Sequence, residues 1–234
     1  MRIGILEAGL VHDDLVDVYG DFPAMFRRWL TPHLPAADFR TWSVIRGDWP
    51  DGPRDCDAWV HTGSRFGVYD DEPWIAPLKD FIRAAAEAGV PQLGICFGHQ
   101  LAAEALGGRA EKSPKGWGAG LHRYRIALDG AEREFPMIVS HQDQVTAVPP
   151  GARALGGNDH CPFGVLEYRD VPILTAQFHP EFNRAFSAAL IRLRAGSSIP
   201  ERVAAPALAS LATPPANAEA GRWMAGWLKA KLEG

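Results

Sequence analysis

The sequence predicts an α/β fold: a doubly wound, mostly parallel sheet with antiparallel additions in the second half and C-terminal helices. Three observations carry this. Up to residue 108, short apolar runs alternate with segments of helical periodicity, the pattern of parallel strands joined by crossover helices. Between residues 121 and 178, short strand-like runs follow one another with turns between them. Beyond Pro180 the apolar spacing becomes helical.

Arg2 to Leu6 is β-rich and apolar, suiting a buried strand, and Gly9 ends it. His12-Asp13-Asp14 then falls at the carboxyl edge of the sheet, where open α/β sheets bind ligands, and reads as a solvated loop. Asp21 with Pro23 marks a helix start, and Phe22, Met25, Phe26, Trp29 and Leu30 follow helical spacing. Phe39 to Val44 alternates like a strand, and Ala58 to Val60 is a short strand ending in His61-Thr62-Gly63-Ser64. Glu72 to Ala88 carries Ile75, Leu78, Ile82 and Ala85 on one helical face, and Gly89 closes it. Val90 to Ile95 is a strand running into Cys96, and Gly98 to Leu106 is a helix stopped by Gly107-Gly108.

In the second half, Leu121–Leu128, Met137–Ser140, Val145–Val148, Ala152–Leu155, Val165–Tyr168 and Ile173–Phe178 read as short strands. They are expected to add to the same sheet in antiparallel fashion. Arg184–Ala195, Pro200–Leu211 and Ala218–Leu232 read as helices, with Trp223 and Trp227 turned to the core. No repeat or interdomain linker interrupts the chain, so residues 1–234 are expected to form one domain.

Composition narrows the function classes. Of 234 residues, 47% are hydrophobic and the net charge is −4, values of a globule rather than a disordered chain. A mildly acidic balance offers no reason to expect nucleic acid, whose binding rests on phosphate neutralisation. No apolar run approaches the ~18 residues of a membrane span, and the N-terminus lacks a secretory pattern. Three widely spaced cysteines fit a reducing compartment, so a cytoplasmic protein is expected. No Cys or His pair has zinc spacing. Gly116–Gly120 is glycine-rich but precedes a strand, so no phosphate cradle is expected. Neither a metal nor a cofactor is anticipated.

The strongest chemical feature is Gly94-Ile95-Cys96-Phe97-Gly98-His99-Gln100. A strand ending at a cysteine with a helix just beyond is the layout of a nucleophile elbow. Glycines two residues to either side make room for a tight turn. The helix N-terminus favours a thiolate and offers the Phe97 N–H to an oxyanion. The competing reading is a buried structural thiol, which the elbow context disfavours. The second feature is His179-Pro180-Glu181 after a β-rich run. In extended chain, residues i and i+2 point the same way, so Glu181 could orient His179 toward Cys96. Alone, the same tripeptide reads equally well as a surface turn.

Gly-Ile-Cys-Phe-Gly-His-Gln, followed far downstream by Phe-His-Pro-Glu, resembles the class I (triad) glutamine amidotransferases. It looks closest to their stand-alone branch, which includes GMP-synthase-like and γ-glutamyl peptidase-like proteins. The resemblance implies a flavodoxin-like sheet, with Cys96 as nucleophile, His179 as base and acid, and Glu181 as orienter. It implies an oxyanion hole from the N–H groups of Ser64 and Phe97, and substrate contacts from Gly63, Gln100, Gln142 and Asp143. Two segments depart from the family pattern. Ser64 and Arg65 stand where Gly and Pro are more usual, and Gln142 replaces a frequent Gly. The implied reaction is hydrolysis of the γ-carboxamide of glutamine, or of a γ-glutamyl amide, through a γ-glutamyl thioester. The ammonia would go to a separate synthase subunit, or the chain would be a self-contained γ-glutamyl peptide hydrolase. A non-catalytic ligand-binding module of the same fold is the alternative from another class.

Overall fold

The structure is a computed structural model and describes residues 1–233. Its first half comprises β1 (Arg2–Leu6), α1 (Asp13–Tyr19), α2 (Phe22–Leu30), β2 (Asp38–Trp42), β3 (Ala58–His61), α3 (Ile75–Glu87), β4 (Gln92–Ile95) and α4 (Phe97–Ala105). Then follow β5 (Arg109–Lys112), β6 (Gly118–Leu128), β7 (Ala131–His141), β8 (Asp143–Ala147), β9 (Ala152–Gly157), β10 (Val165–Tyr168) and β11 (Ile173–Ala176). The helices α5 (Arg184–Arg194), α6 (Glu201–Ser210) and α7 (Asn217–Glu233) complete the chain.

The main sheet has nine strands in the order β2-β1-β3-β4-β11-β10-β9-β6-β7. The five from β2 to β11 are mutually parallel, and the rest join antiparallel. Strands β3, β4 and β11 are buried along their whole length, as parallel strands covered on both faces must be. Side chains alternate between two cores. Ile3, Ile5, Val60, Leu93, Ile95 and Leu174 face α2 and α7. On the other face, Leu6 and Trp59 pack with α3 and α4. A third cluster joins α1, α5 and α6 to Ile138 of β7.

Several elements differ from the sequence expectation, each for a physical reason. His12-Asp13-Asp14 is not a loop but the start of α1, whose N-cap is the His12 side chain, accepting from Asp14 N at 3.2 Å. Histidine lies outside the usual capping residues, and only Leu15 of this helix is buried, so neither start signal nor stripe is strong. β5 is a further strand, and it pairs with β8 in a separate two-stranded sheet rather than the main one. β6 and β7 are longer than expected because they form one hairpin around Asp129-Gly130, both at positive φ (52° and 78°), the geometry of an Asp-Gly type I′ turn. β11 is parallel to β4, not antiparallel. Trp223 and Trp227 are partly buried against the core, while Met224 and Leu228, each the next residue along, are fully buried.

The parallel strands β1, β3, β4 and β11 therefore end on one edge, and the segments after Leu6, His61, Ile95 and Ala176 all emerge there. Close packing fixes this edge. A Cβ on Gly98 would lie 2.6 Å from the His61 carbonyl oxygen and 2.8 Å from its Cβ, so only glycine lets α4 sit against the end of β3. Gly98→Ala is expected to lower stability by about 1–3 kcal/mol through overpacking. Gly52→Ala, where a Cβ meets nothing within 4 Å, is expected to stay within about 0.5 kcal/mol of the wild type. Urea unfolding of the two variants measures the contrast.

Candidate active site

Cys96 sits where β4 turns into α4, with φ 53° and ψ −101°. A non-glycine residue at positive φ is strained by about 1–3 kcal/mol and persists only where its surroundings hold it. Two hydrogen bonds do so. Cys96 N donates to Ala176 O at 2.8 Å, and Cys96 O accepts from Gln100 N at 3.1 Å. On its flank, a Cβ on Gly94 would approach Gly98 O to 2.7 Å, so the turn closes only with glycine there. Cys96 is the N-cap of α4, so the amide of Phe97 opens the first turn, where N–H groups lack intrahelical acceptors. The Phe97 ring turns inward against Trp74, 5.5 Å between centroids.

His179 lies three residues beyond β11. Its backbone N–H donates to Ile138 O at 2.8 Å, tying it to β7. Nδ1 donates to Glu181 Oε1 at 2.7 Å, and both side chains are buried. The Cys96 side chain lies close enough to the same ring for its sulfur to act on the imidazole. Phe182 stacks flat on the imidazole, 3.9 Å between centroids at 5°. Gly63 closes the far side, where a Cβ would stand 3.0 Å from His179 Cε1 and 3.7 Å from Cys96 Cβ. Burial on its own would push the His179 pKa down. The Glu181 carboxylate and the Cys96 sulfur outweigh it, and the pKa is pushed up to about 10.

The loop after β3 is anchored by Thr62. Its N–H donates to Leu6 O at 3.2 Å, and its Oγ1 accepts from Ala8 N at 3.0 Å. Gly9 allows the chain after β1 to press on this loop, since a Cβ there would fall 2.6 Å from Gly63 O and 2.8 Å from Ser64 Cα. Ser64 is thus carried to the same edge as Cys96.

A cleft of about 560 Å³ opens over Cys96. Of the residues expected from sequence, Ser64, Cys96, Gln100, Gln142 and Asp143 line it. His179, Glu181, Gly63 and the Phe97 ring are buried behind its wall. Gln100 is engaged within the protein: its Nε2 donates to Asp143 O at 2.8 Å and to Gln177 Oε1 at 3.1 Å, leaving Oε1 as its remaining polar atom. Asp143 Oδ2 accepts from the Tyr69 hydroxyl at 2.7 Å.

The structure adds residues that the sequence did not single out. Arg194, at the end of α5, is half-buried in the cleft wall and donates to Ser140 Oγ at 3.4 Å. Tyr69, Trp117 and Lys112 also line the cleft, and so does His12, which the sequence had already placed at this carboxyl edge. For Arg194 no local signal existed, because only the path of α5 brings it back to the carboxyl edge. His12 had one, its place just after β1.

Beneath the cleft lie two buried neutral histidines. His61 Nε2 meets Gln92 Oε1 at 2.8 Å, and His99 Nδ1 meets Thr175 Oγ1 at 2.7 Å. Burial lowers their pKa values to about 4 and about 3.

Comparisons with known proteins place this geometry in context. A family model described as "Glutamine amidotransferase class-I" matches residues 67–191. A glutamine amidotransferase-like protein of Schizosaccharomyces pombe is 27% identical over 215 residues, covering 85% of this chain and 86% of that one. Gamma-glutamyl peptidase 4 of Arabidopsis thaliana is 30% identical over 174 residues, 69% of each chain. A glutamine-hydrolysing GMP synthase of Thermus thermophilus is 42% identical over 127 residues, which span 53% of this chain and 24% of that protein. Among solved structures, a glutamine amidotransferase of Methylobacillus flagellatus superposes with a TM-score of 0.75 at 22% identity, covering 100% of this chain and 93% of the other. It shares the fold.

The opposite pKa shifts set the pH dependence of stability. His179 binds its proton more tightly folded than unfolded, since about 10 exceeds the ordinary 6.5. Its contribution is complete below pH 6.5 and is lost as pH rises through about 10. His61 and His99 bind theirs more weakly folded, so their contribution is lost as pH falls below 6.5. The stability gap between wild type and His179→Gln is expected to shrink from pH 6.5 to 10.5 in urea unfolding. A gap that widens with pH contradicts the assignment.

Proposed function

The chain belongs to the glutamine amidotransferase class-I family, and on that premise we propose that it hydrolyses the γ-amide of glutamine or of a γ-glutamyl compound through a thioester on Cys96. The observation that carries this is His179, enclosed between the Cys96 side chain and the Glu181 carboxylate under an open cleft. That is the order nucleophile, base, orienter. A structural thiol needs neither the strained turn nor the paired imidazole.

The Cys96 sulfur adds to the γ-carbonyl carbon, and the resulting oxyanion takes hydrogen bonds from the N–H groups of Phe97 and Ser64. Donors of this kind are each worth about 10²–10³ in rate. The C–N bond breaks as His179 gives its proton to the departing nitrogen, and ammonia or an amine leaves. Water then enters, returns a proton to His179 and attacks the thioester. The C–S bond breaks and glutamate is released. Glu181 holds the imidazole in one tautomer and offsets its charge. At the other end of the substrate, Arg194 beside Ser140 suits the α-carboxylate, and Asp143 with Gln142 suits the α-ammonium. Gln100 holds this segment to α4 through Asp143 O.

The proposal treats residues 1–234 as one functional unit, because the parallel sheet and the site share their strands. Two outlets for the leaving group remain distinct. The peptidase relative, matched over 69% of each chain, favours a self-contained hydrolase. The match to part of a GMP synthase favours delivery of ammonia to a separate synthase.

Cys96→Ala is expected to reduce glutamate release from glutamine and γ-glutamyl peptides by at least about 10³-fold, with an unchanged circular dichroism spectrum. Glu181→Gln is expected to lower kcat more than KM. A diazo-ketone analogue of glutamine should label the wild type once, on Cys96, as read by peptide mass mapping. Turnover that survives in Cys96→Ala would falsify the mechanism.

A further inference from the structure

The cleft carries more positive charge than glutamine can use. Arg65, Lys112 and Arg194 line it, against Asp70 and Asp143. Both acids already accept protein hydrogen bonds, Asp143 Oδ2 from the Tyr69 hydroxyl at 2.7 Å and Asp70 Oδ2 from Gly67 N at 2.8 Å. Among the described residues no carboxylate lies within 4 Å of the Arg65, Lys112 or Arg194 cationic groups. Elsewhere arginines 2, 40, 83, 109, 123, 133 and 153 have such a partner, and the other ten outside the cleft have none among the described residues. Lys112 stands opposite Asp143 in the β5–β8 ladder, so part of its charge is offset. Arg194 is half-buried and bonded to Ser140. Arg65 is exposed at the mouth and braced over the Phe66 ring, 4.9 Å from its centroid. It has no anionic partner, and its field falls on Arg194, whose pKa burial lowers, the Cys96 sulfur raises, and Arg65 lowers in smaller measure.

We propose that Arg65 recognises a carboxylate on the leaving group, so that the preferred substrates are γ-glutamyl amino acids with a free α-carboxylate. This rests on the γ-glutamyl chemistry assigned to Cys96. The chemistry of the two substrate types separates them. Glutamine brings one carboxylate, which Arg194 accommodates, and its leaving group is neutral ammonia. A γ-glutamyl amino acid brings a second carboxylate, separated from the scissile nitrogen by a single carbon. A cation serving it must stand next to the reacting carbonyl. Arg65 directly follows Ser64, the proposed oxyanion donor, and so occupies that place in the chain. The reaction balances as hydrolysis: the γ-glutamyl C–N bond and one water yield glutamate and the free amino acid.

The test compares γ-glutamylglycine with γ-glutamylglycinamide, which differ in the terminal charge and little in shape. Wild type is expected to favour the free acid by about tenfold in kcat/KM, the size of one charge-assisted contact, with the preference shrinking as salt rises. Arg65→Gln should bring the ratio close to one, and Arg65→Lys should restore part of it. A ratio near one in wild type, or a preference kept by Arg65→Gln, overturns the inference. If turnover is too slow to measure, calorimetric binding of the two peptides to Cys96→Ala gives the same comparison. Labelling of Cys96 by the glutamine analogue with no acid preference defeats the Arg65 assignment alone. Failure to label Cys96 defeats the thioester reading and this one together.

Discussion

The site depends on one pairing, the parallel alignment of β11 with β4. Ala176 stands level with Ile95, so the chain leaves both strands at the same edge. Cys96 is one residue past β4 and His179 three past β11. An antiparallel β11 would have sent His179 to the opposite edge, a full strand length away. The two elements are then stitched along their boundary. Cys96 N bonds Ala176 O, His99 bonds Thr175, and Gln100 bonds Gln177. Three consecutive residues of β11 and its extension are thereby matched to three positions of the elbow and first turn of α4. That matching sustains the positive φ of Cys96, which would relax in a looser setting.

The same residue type does opposite work above and below this boundary. His61, His99 and His179 are all buried. Desolvation lowers the pKa of the first two, whose partners are a glutamine amide and a threonine hydroxyl. Such neutral partners stabilise an imidazole without asking it to carry charge. His179 has a carboxylate on Nδ1 and the Cys96 sulfur nearby, and its shift is reversed. The difference lies in the neighbours, not the depth. The flat stack of Phe182 fixes the ring plane without adding charge, so the imidazole can only point along the Glu181–Cys96 line.

What the sequence made legible follows from locality. The elbow needs glycines at fixed offsets, and these are visible in the chain as Gly94 and Gly98. The strands β1 and β4 and the helices α2 and α3 were legible from periodicity and capping. The direction of β11 was not, because pairing partners are not written in a strand's own residues. One trace of it was present: β11 reads Ile-Leu-Thr-Ala and is buried on both faces, the mark of a parallel strand, whereas β6 alternates between buried and exposed positions toward its end. β5, with its Arg-Ala-Glu-Lys sequence, has neither pattern and exists through its ladder with β8. Arg194 was invisible for a further reason. It depends on the length and path of α5, a tertiary property.

Charge placement separates the chemical centre from the surface that meets a ligand. The Cys96–His179–Glu181 group is closed on itself: the one buried carboxylate beside the imidazole is the one that raises its pKa. The cleft wall is the reverse. Its cations Arg65, Lys112 and Arg194 have no carboxylate within 4 Å among the described residues. A half-buried guanidinium without an anion has lost part of its hydration and gained little in return. Exposed Arg65, close enough to repel Arg194, makes the empty cleft less favourable still. Such an arrangement is stable when filled, since an incoming carboxylate replaces lost water with charge-assisted hydrogen bonds.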